Sequence, residues 1–339
     1  MGREPSRARY GAHPSPQRLD LKAYSVSRSQ PETTARPSAW WASPYLLLVL
    51  PPLFWAGNAV VGRVAVADIS PLALSAVRWA LAILILLPFT ARAVLRQWPI
   101  VRARWKSIAV LGILSAGLYN LFLYMALETT TAINVTLLNT SMPMTIVLVS
   151  WIWLRERPSR GGIAGILLSM LGVAVVVGRG DPSVLMGLEV HAGDGLMLLA
   201  VVVWSLYSVG LRAHPTGLTA GAMLTVQMFA GLCFLLPFYA IEAATIGSPI
   251  PLTWSMALVF LYVSTGPSIG AFYFWNRGVA ESGASTAGLY INLLPVFTAI
   301  LAVIFLGESL EWFHGFGLIL IFSGILLGTV GSRKGRRAS

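Results

Sequence analysis

Apolar runs of about 20 residues, parted by short polar stretches, recur from residue 44 to residue 330. They lie at about 44–62, 71–90, 107–127, 131–154, 161–178, 194–212, 220–241, 253–275, 285–306 and 313–330. Each is long enough to cross roughly 30 Å of hydrocarbon. The runs do not alternate apolar with polar residues, as a membrane β-strand would. Backbone groups in lipid must be satisfied within their own segment, so the pattern predicts ten membrane-spanning helices.

The runs also repeat. The segment from Trp55 to Arg63 matches the segment from Trp204 to Arg212 at both ends, 149 residues on, and Leu86-Leu87-Pro88-Phe89 returns as Leu235-Leu236-Pro237-Phe238. Pro143, Leu154, Glu156, Gly165 and Gly172 return as Pro295, Leu306, Glu308, Gly317 and Gly324, 152 residues on. Two spacings three residues apart describe one duplicated unit with a small change of length. Five spans per unit is an odd number, so the second unit enters the membrane in the opposite sense. The expected fold is all-α and integral to the membrane, with ten helices in two inverted five-helix repeats, 44–178 and 194–331. Secondary transporters use this architecture to rock two halves about one midplane site.

Composition agrees. The 339 residues are 56% hydrophobic and 11% charged, where a soluble domain carries about 25% charged residues. The net charge of +11 would suit a nucleic-acid binder, but its placement argues otherwise. With the N-terminus inside, every Lys and Arg but Arg63, Arg78 and Arg179 falls on the cytoplasmic side. The positive-inside rule then puts both termini in the cytoplasm of a multi-pass protein of the cytoplasmic (inner) membrane. The basic loop between spans two and three (Arg92, Arg96, Arg102, Arg104, Lys106) corresponds to a loop between spans seven and eight with no Lys or Arg, as inversion requires. The expected partners are the lipid bilayer and a small-molecule substrate, with no nucleic acid.

Residues 1–40, rich in Ser, Pro and Arg, read as a disordered basic cytoplasmic tail, and 332–339 as a basic cytoplasmic tail. Met1-Gly2-Arg3-Glu4-Pro5-Ser6 fits the N-myristoylation pattern, with a chance match the simpler reading. Cys233 stands alone and the four histidines are scattered, so no disulfide, metal site or cofactor is expected. Hydrolase and metalloenzyme motifs are missing, and the chain does not read as an enzyme.

Several residues in order carry a likeness. They are Phe54-Trp55-Ala56-Gly57-Asn58, Arg78-Trp79-Ala80, Asn139 to Pro143, Leu154-Arg155-Glu156, Asn292-Leu293-Leu294-Pro295 and Leu306-Gly307-Glu308, with the glycine-bearing helices that follow. Over about 44–331 the chain resembles the EamA family of the drug/metabolite transporter superfamily in its ten-helix form. That resemblance implies export or exchange of small metabolites such as amino acids. A phosphorylated-metabolite or nucleotide-sugar antiporter of the same superfamily is the alternative, and a channel or binding protein the alternative from another class.

Arg78 is the costliest residue in the bilayer, at about 2.5–3.5 kcal/mol or more near a span centre. It is read either as a bidentate anchor for a substrate carboxylate or as a clamp on Asn58 or backbone carbonyls. No carboxylate falls inside a span to pair with it, and the repeat places Gln227 at its equivalent. Other mid-span polar residues, Asn134 among them, are read mostly as interhelical glue. Asn58, Tyr119, Asn139, Tyr290 and Asn292 are chosen as cavity residues, because the family implied by the resemblance builds its cavity from these helices. Trp55 and Trp204, with Tyr207, Tyr262, Tyr273 and Trp275, form either core and interface aromatics or an aromatic cavity wall. Pro143 and Pro295 recur at equivalent positions and are the candidate hinges. Small residues Gly161, Gly165, Ser169 and Gly172, then Gly317, Gly324 and Gly328, suit close helix packing within the chain or in a homodimer. Glu156 and Glu308 are read as caps. With no acid or His relay at depth, proton coupling and facilitated exchange both stay open.

Overall fold

The computed structural model describes residues 43–187, 189–247, 249–306 and 311–338, together with Gly2. The proposed N-terminal tail with its myristoylation pattern, and Glu308, lie outside the described residues. Among those described, the regular structure is helical throughout. Ten helices are long and apolar enough to cross a membrane: α1 Tyr45–Ala65, α2 Pro71–Arg96, α3 Trp105–Thr129, α4 Asn134–Leu154, α5 Arg160–Val177, α6 Ala192–Ala213, α7 Ala220–Thr245, α8 Trp254–Ser282, α9 Ala284–Leu301 and α10 Trp312–Val330.

Local chemistry sets their starts. Ser70, Ser159 and Thr253 accept from backbone N–H groups of the first turns of α2, α5 and α8. Each supplies an oxygen to a donor the helix leaves free. At α6 the Asp194 carboxylate accepts from the His191 N–H at 2.9 Å. Asn134 belongs to this corner. It opens α4 and donates to the Glu189 carbonyl at 3.0 Å, so it is an end-of-helix tie and not the mid-span residue expected.

Three helices outrun their apolar runs, with α2 reaching Arg96, α7 Thr245 and α8 Ser282. Polar final turns hold helical geometry at the interface, as at the end of α8, where Arg277 donates to Glu281 at 2.7 Å across one turn. Glu242 and Glu281 therefore fall within helices, as do Glu128 at the end of α3 and Asp194 at the start of α6, against the expectation of none, but all are near helix ends and unburied. The last helix is continuous to Ala338, so residues 332–338 of the basic C-terminal tail are helical.

Equivalent helices of the two halves pack on each other. α2 meets α7 through Thr90 and Thr225, whose hydroxyls lie 2.7 Å apart, and through the Thr219 N–H to Gln97 Oε1 at 2.9 Å. Numbers rise along α2 as they fall along α7, so the pair is antiparallel. α5 and α10 also run antiparallel. A Cβ on Gly165 would come within 2.5 Å of the Gly324 carbonyl oxygen, and one on Gly172 within 2.7 Å of the Gly317 carbonyl oxygen. The small-residue stripe is thus covered within the chain. α3 packs on α6 and α7, and α8 on α1 and α2; α4 packs on α6, and α9 on α1. Exchanging the halves leaves this pattern of neighbours unchanged.

Four irregularities obey the same exchange. α4 breaks at Thr140–Ser141, one turn before Pro143, and α9 passes through a tight 3₁₀ turn, Tyr290–Leu293, before Pro295. α3 widens to a π-helix over Ile113–Tyr119, and α8 does so over Ser264–Gly270, each end 151 residues after its counterpart. π segments are rare and cluster at functional sites. Sequence reading did not anticipate them.

Candidate functional site

Arg78 is wholly buried in α2, where α1, α3 and α8 converge on it. Its Nε donates to Ser268 Oγ at 2.5 Å. Nη1 is shared among Tyr124 Oη at 2.6 Å, Asn120 Oδ1 at 2.8 Å and Asn58 Oδ1 at 3.3 Å. Those partners are themselves held. Tyr124 donates on to Asn58 Oδ1 at 3.1 Å, and Asn120 Nδ2 donates to the Ser115 carbonyl at 3.2 Å. The guanidinium carbon lies 4.9 Å from the Trp79 ring centre and 5.9 Å from that of Tyr124. Neutral oxygens and π faces thus meet a charge that no buried carboxylate balances among the described residues.

This geometry alters one expectation. A carboxylate takes the guanidinium fork through two neighbouring nitrogens. Nε and Nη1 are both occupied, and only Nη2, buried and without a partner, is left. Of the two readings of Arg78, the bidentate grip on a carboxylate is closed in this conformation, while the clamp on Asn58 is present.

The π segment of α8 supplies the contacts from the second half. Pro267 has no N–H to donate, and its own carbonyl accepts the Trp55 indole N–H at 3.1 Å. Ser268 Oγ receives Arg78 and donates to the Val263 carbonyl at 2.6 Å. Ser264 donates to the Arg78 carbonyl at 3.1 Å, and Tyr262 to the Phe54 carbonyl at 2.8 Å. Four polar bonds therefore tie α8 to α1 and α2. The equivalent contact between α3 and α7 is built from small residues: a Cβ on Gly112 would meet the Gln227 carbonyl oxygen at 2.4 Å, and one on Gly231 would meet the Ala116 Cβ at 2.5 Å.

Beside Arg78 lies a void of about 20 Å³ lined by Trp55, Asn58, Tyr119, Asn120, Leu123, Asn139 and Leu294. That is room for about one water. Three of the chosen cavity residues, Asn58, Tyr119 and Asn139, line it, together with the candidate wall residue Trp55. Trp204 packs behind them, its ring centre 4.6 Å from Tyr119 and 5.0 Å from Trp55. Trp275 and Phe272 extend the cluster at 5.5 and 5.3 Å from Trp204.

The remaining candidates lie elsewhere. Gln227 accepts from Asn276 at 3.0 Å, and Asn276 in turn accepts from Tyr207. This chain through α6, α7 and α8 is a neutral counterpart of the Arg78 cluster. Asn292 donates to Ser169 Oγ at 2.7 Å, tying α9 to α5, and Tyr290 is buried in the 3₁₀ turn. Asn120 and Tyr124, i and i+4 on α3, are Arg78 partners that sequence reading did not single out. Nothing in the spacing marked Ser268. A separate crevice of about 610 Å³ opens between the α1–α2 turn and the ends of α3 and α7, beside Asp68, Glu128 and Glu242, and includes none of the expected site residues.

The family model described as "EamA-like transporter family" matches twice, over residues 42–178 and 191–330. An uncharacterized transporter of Archaeoglobus fulgidus is 28% identical over 84% of this chain and 96% of its own length. The uncharacterized transporter YyaM of Bacillus subtilis is 27% identical over 83% and 92%. The aromatic amino acid exporter YddG of Ancylobacter novellus is 29% identical over 62% of this chain and 69% of its own. A crystal structure at 22% identity shares the fold with a TM-score of 0.67, over 86% of this chain and 98% of that one.

Proposed function

We propose that this chain, which belongs to the EamA-like transporter family, is a secondary transporter that carries a small metabolite across the cytoplasmic membrane by alternating access. Its two halves are inverted repeats with both termini in the cytoplasm, and the substrate binds where Arg78, Asn58, Trp55, Tyr119 and Asn139 meet. The observation that carries this reading is the seat of Arg78. A full charge lies buried at the junction of the two halves, held by α1 and α3 of the first and by α8 of the second. Charges in that position mark substrate pathways in membrane proteins.

Three further features support it. Equivalent helices run antiparallel where they pack. Breaks and π segments recur in both halves, which gives each the means to bend. The aromatic cluster beside the void suits an amino-acid-like or weakly polar aromatic compound, and one relative is named an aromatic amino acid exporter. Export is the direction we propose on that ground. A phosphorylated substrate fits less well, since phosphate calls for several basic groups and Arg78 is the one buried among the described residues. The transporter reading leaves no catalytic role to assign.

Counterflow tests it. Proteoliposomes preloaded with pooled amino acids should take up labelled members of the pool saturably, and Arg78→Ala should reduce that uptake by tenfold or more, about 1.4 kcal/mol or above. Uptake that survives the substitution would make Arg78 structural. Uptake that rises linearly without saturating would point to a channel.

A further inference from the structure

The reading above leaves open which charge the substrate brings to the site, and the inventory of buried groups bears on it. Arg78 is the one fully charged side chain among the buried described residues. The centre therefore carries an uncompensated positive charge. Its Nη2 is buried without an acceptor, and so are the indole N–H groups of Trp79, Trp204 and Trp275. These residues form one cluster. Trp79 and Trp204 meet the Phe272 ring at 5.2 and 5.3 Å, Trp275 meets Trp204 at 5.5 Å, and the Arg78 guanidinium lies 4.9 Å from Trp79. Of the tryptophans here Trp55 alone has its indole satisfied, by the Pro267 carbonyl. Buried donors left unpaired are costly, and a ligand rich in acceptors removes the cost.

The opposite inventory is two unpaired amide oxygens, Asn292 Oδ1 outside the lining of the void and Asn139 Oδ1 beside it. An ammonium group would find that dipole and the neighbouring rings, against the repulsion of a full guanidinium charge within the same low-dielectric core.

We propose that the site selects an organic anion: one carboxylate on a flat apolar body, with no ammonium group required. This inference rests on the transporter reading and narrows its substrate class. The charge pairs with Arg78 through Nη2, and the body displaces the packed rings of Trp55, Tyr119 and Trp204. Loading would bring the centre to electrical neutrality, which a zwitterion would not do.

Three ligands with one body decide the matter. Phenylpropionate, phenylalanine and phenethylamine are titrated against the full chain in lipid nanodiscs near neutral pH, with the emission of the clustered tryptophans as readout. Phenylpropionate should bind at least about tenfold tighter than phenylalanine, and phenethylamine should not compete. Arg78→Gln should abolish the preference for the acid and Arg78→Lys should keep part of it. If Arg78→Gln does not fold, the ligand order on the parent protein decides alone. Phenylalanine or phenethylamine binding as tightly as the acid, or no binding by any of the three, overturns the proposal. Saturable amino-acid counterflow alongside that result would leave the transporter reading standing. Without counterflow, both fall.

Discussion

At the scale of single residues, Arg78 shows how a membrane bundle holds a charge. No single partner neutralises it. Four neutral oxygens and two aromatic faces share the load, and each of those oxygens is oriented by a further contact. Ser268 is the member contributed by the second half. Ser268→Ala should strand Nε and release the Val263 carbonyl, destabilising the fold by about 0.5–2 kcal/mol, while Ser268→Thr should retain most of the stability. Thermal unfolding in detergent measures both, and equal melting temperatures for alanine variant and parent would refute the tie. Arg78 and Asn58 were legible in the sequence because a charge and an amide stand out within apolar runs. Ser268 was not. A serine in an apolar helix is ordinary, and its approach to Arg78 depends on a π segment that no residue spacing announces.

At the scale of elements, the recurring irregularities stand out. Pro143 and Pro295 were chosen as hinges from their equivalence alone. Each follows a disturbed turn, Thr140–Ser141 in α4 and Tyr290–Leu293 in α9. A proline cannot donate to the preceding turn, which keeps that turn from closing into regular helix. Pro143→Ala should let α4 run through, slowing turnover severalfold with little change in ligand affinity. Counterflow rate set against binding measures the split, and an unchanged rate would remove Pro143 from the mechanism. The glycine stripe of α5 was legible as a packing surface but not as to its partner. Its complement on α10 lies about 150 residues away, and only the folded chain brings the backbones within contact.

At the scale of the molecule, periodicity and repetition alone specify the ten helices, because the bilayer demands long apolar runs. Their ends were less legible, since polar turns at the interface stay helical where hydropathy has already fallen. Sidedness rests on the arginines and has its own test. In a chain with Cys233 replaced, a single cysteine at Ser183, between α5 and α6, should react with an impermeant thiol reagent added outside intact cells. One at Gln97, at the end of α2, should react only after permeabilisation. The reverse pattern would invert the topology.

The narrowness of the centre matters also to the cell's energy supply. Protons pass through membrane proteins along files of hydrogen-bonded water, and the void beside Arg78, at about 20 Å³, holds about one molecule. That void, among the described residues, is too small to hold such a file in this conformation. A carrier with so narrow a centre can sit empty in its membrane without short-circuiting the proton gradient, because the conductive file has no room to form there.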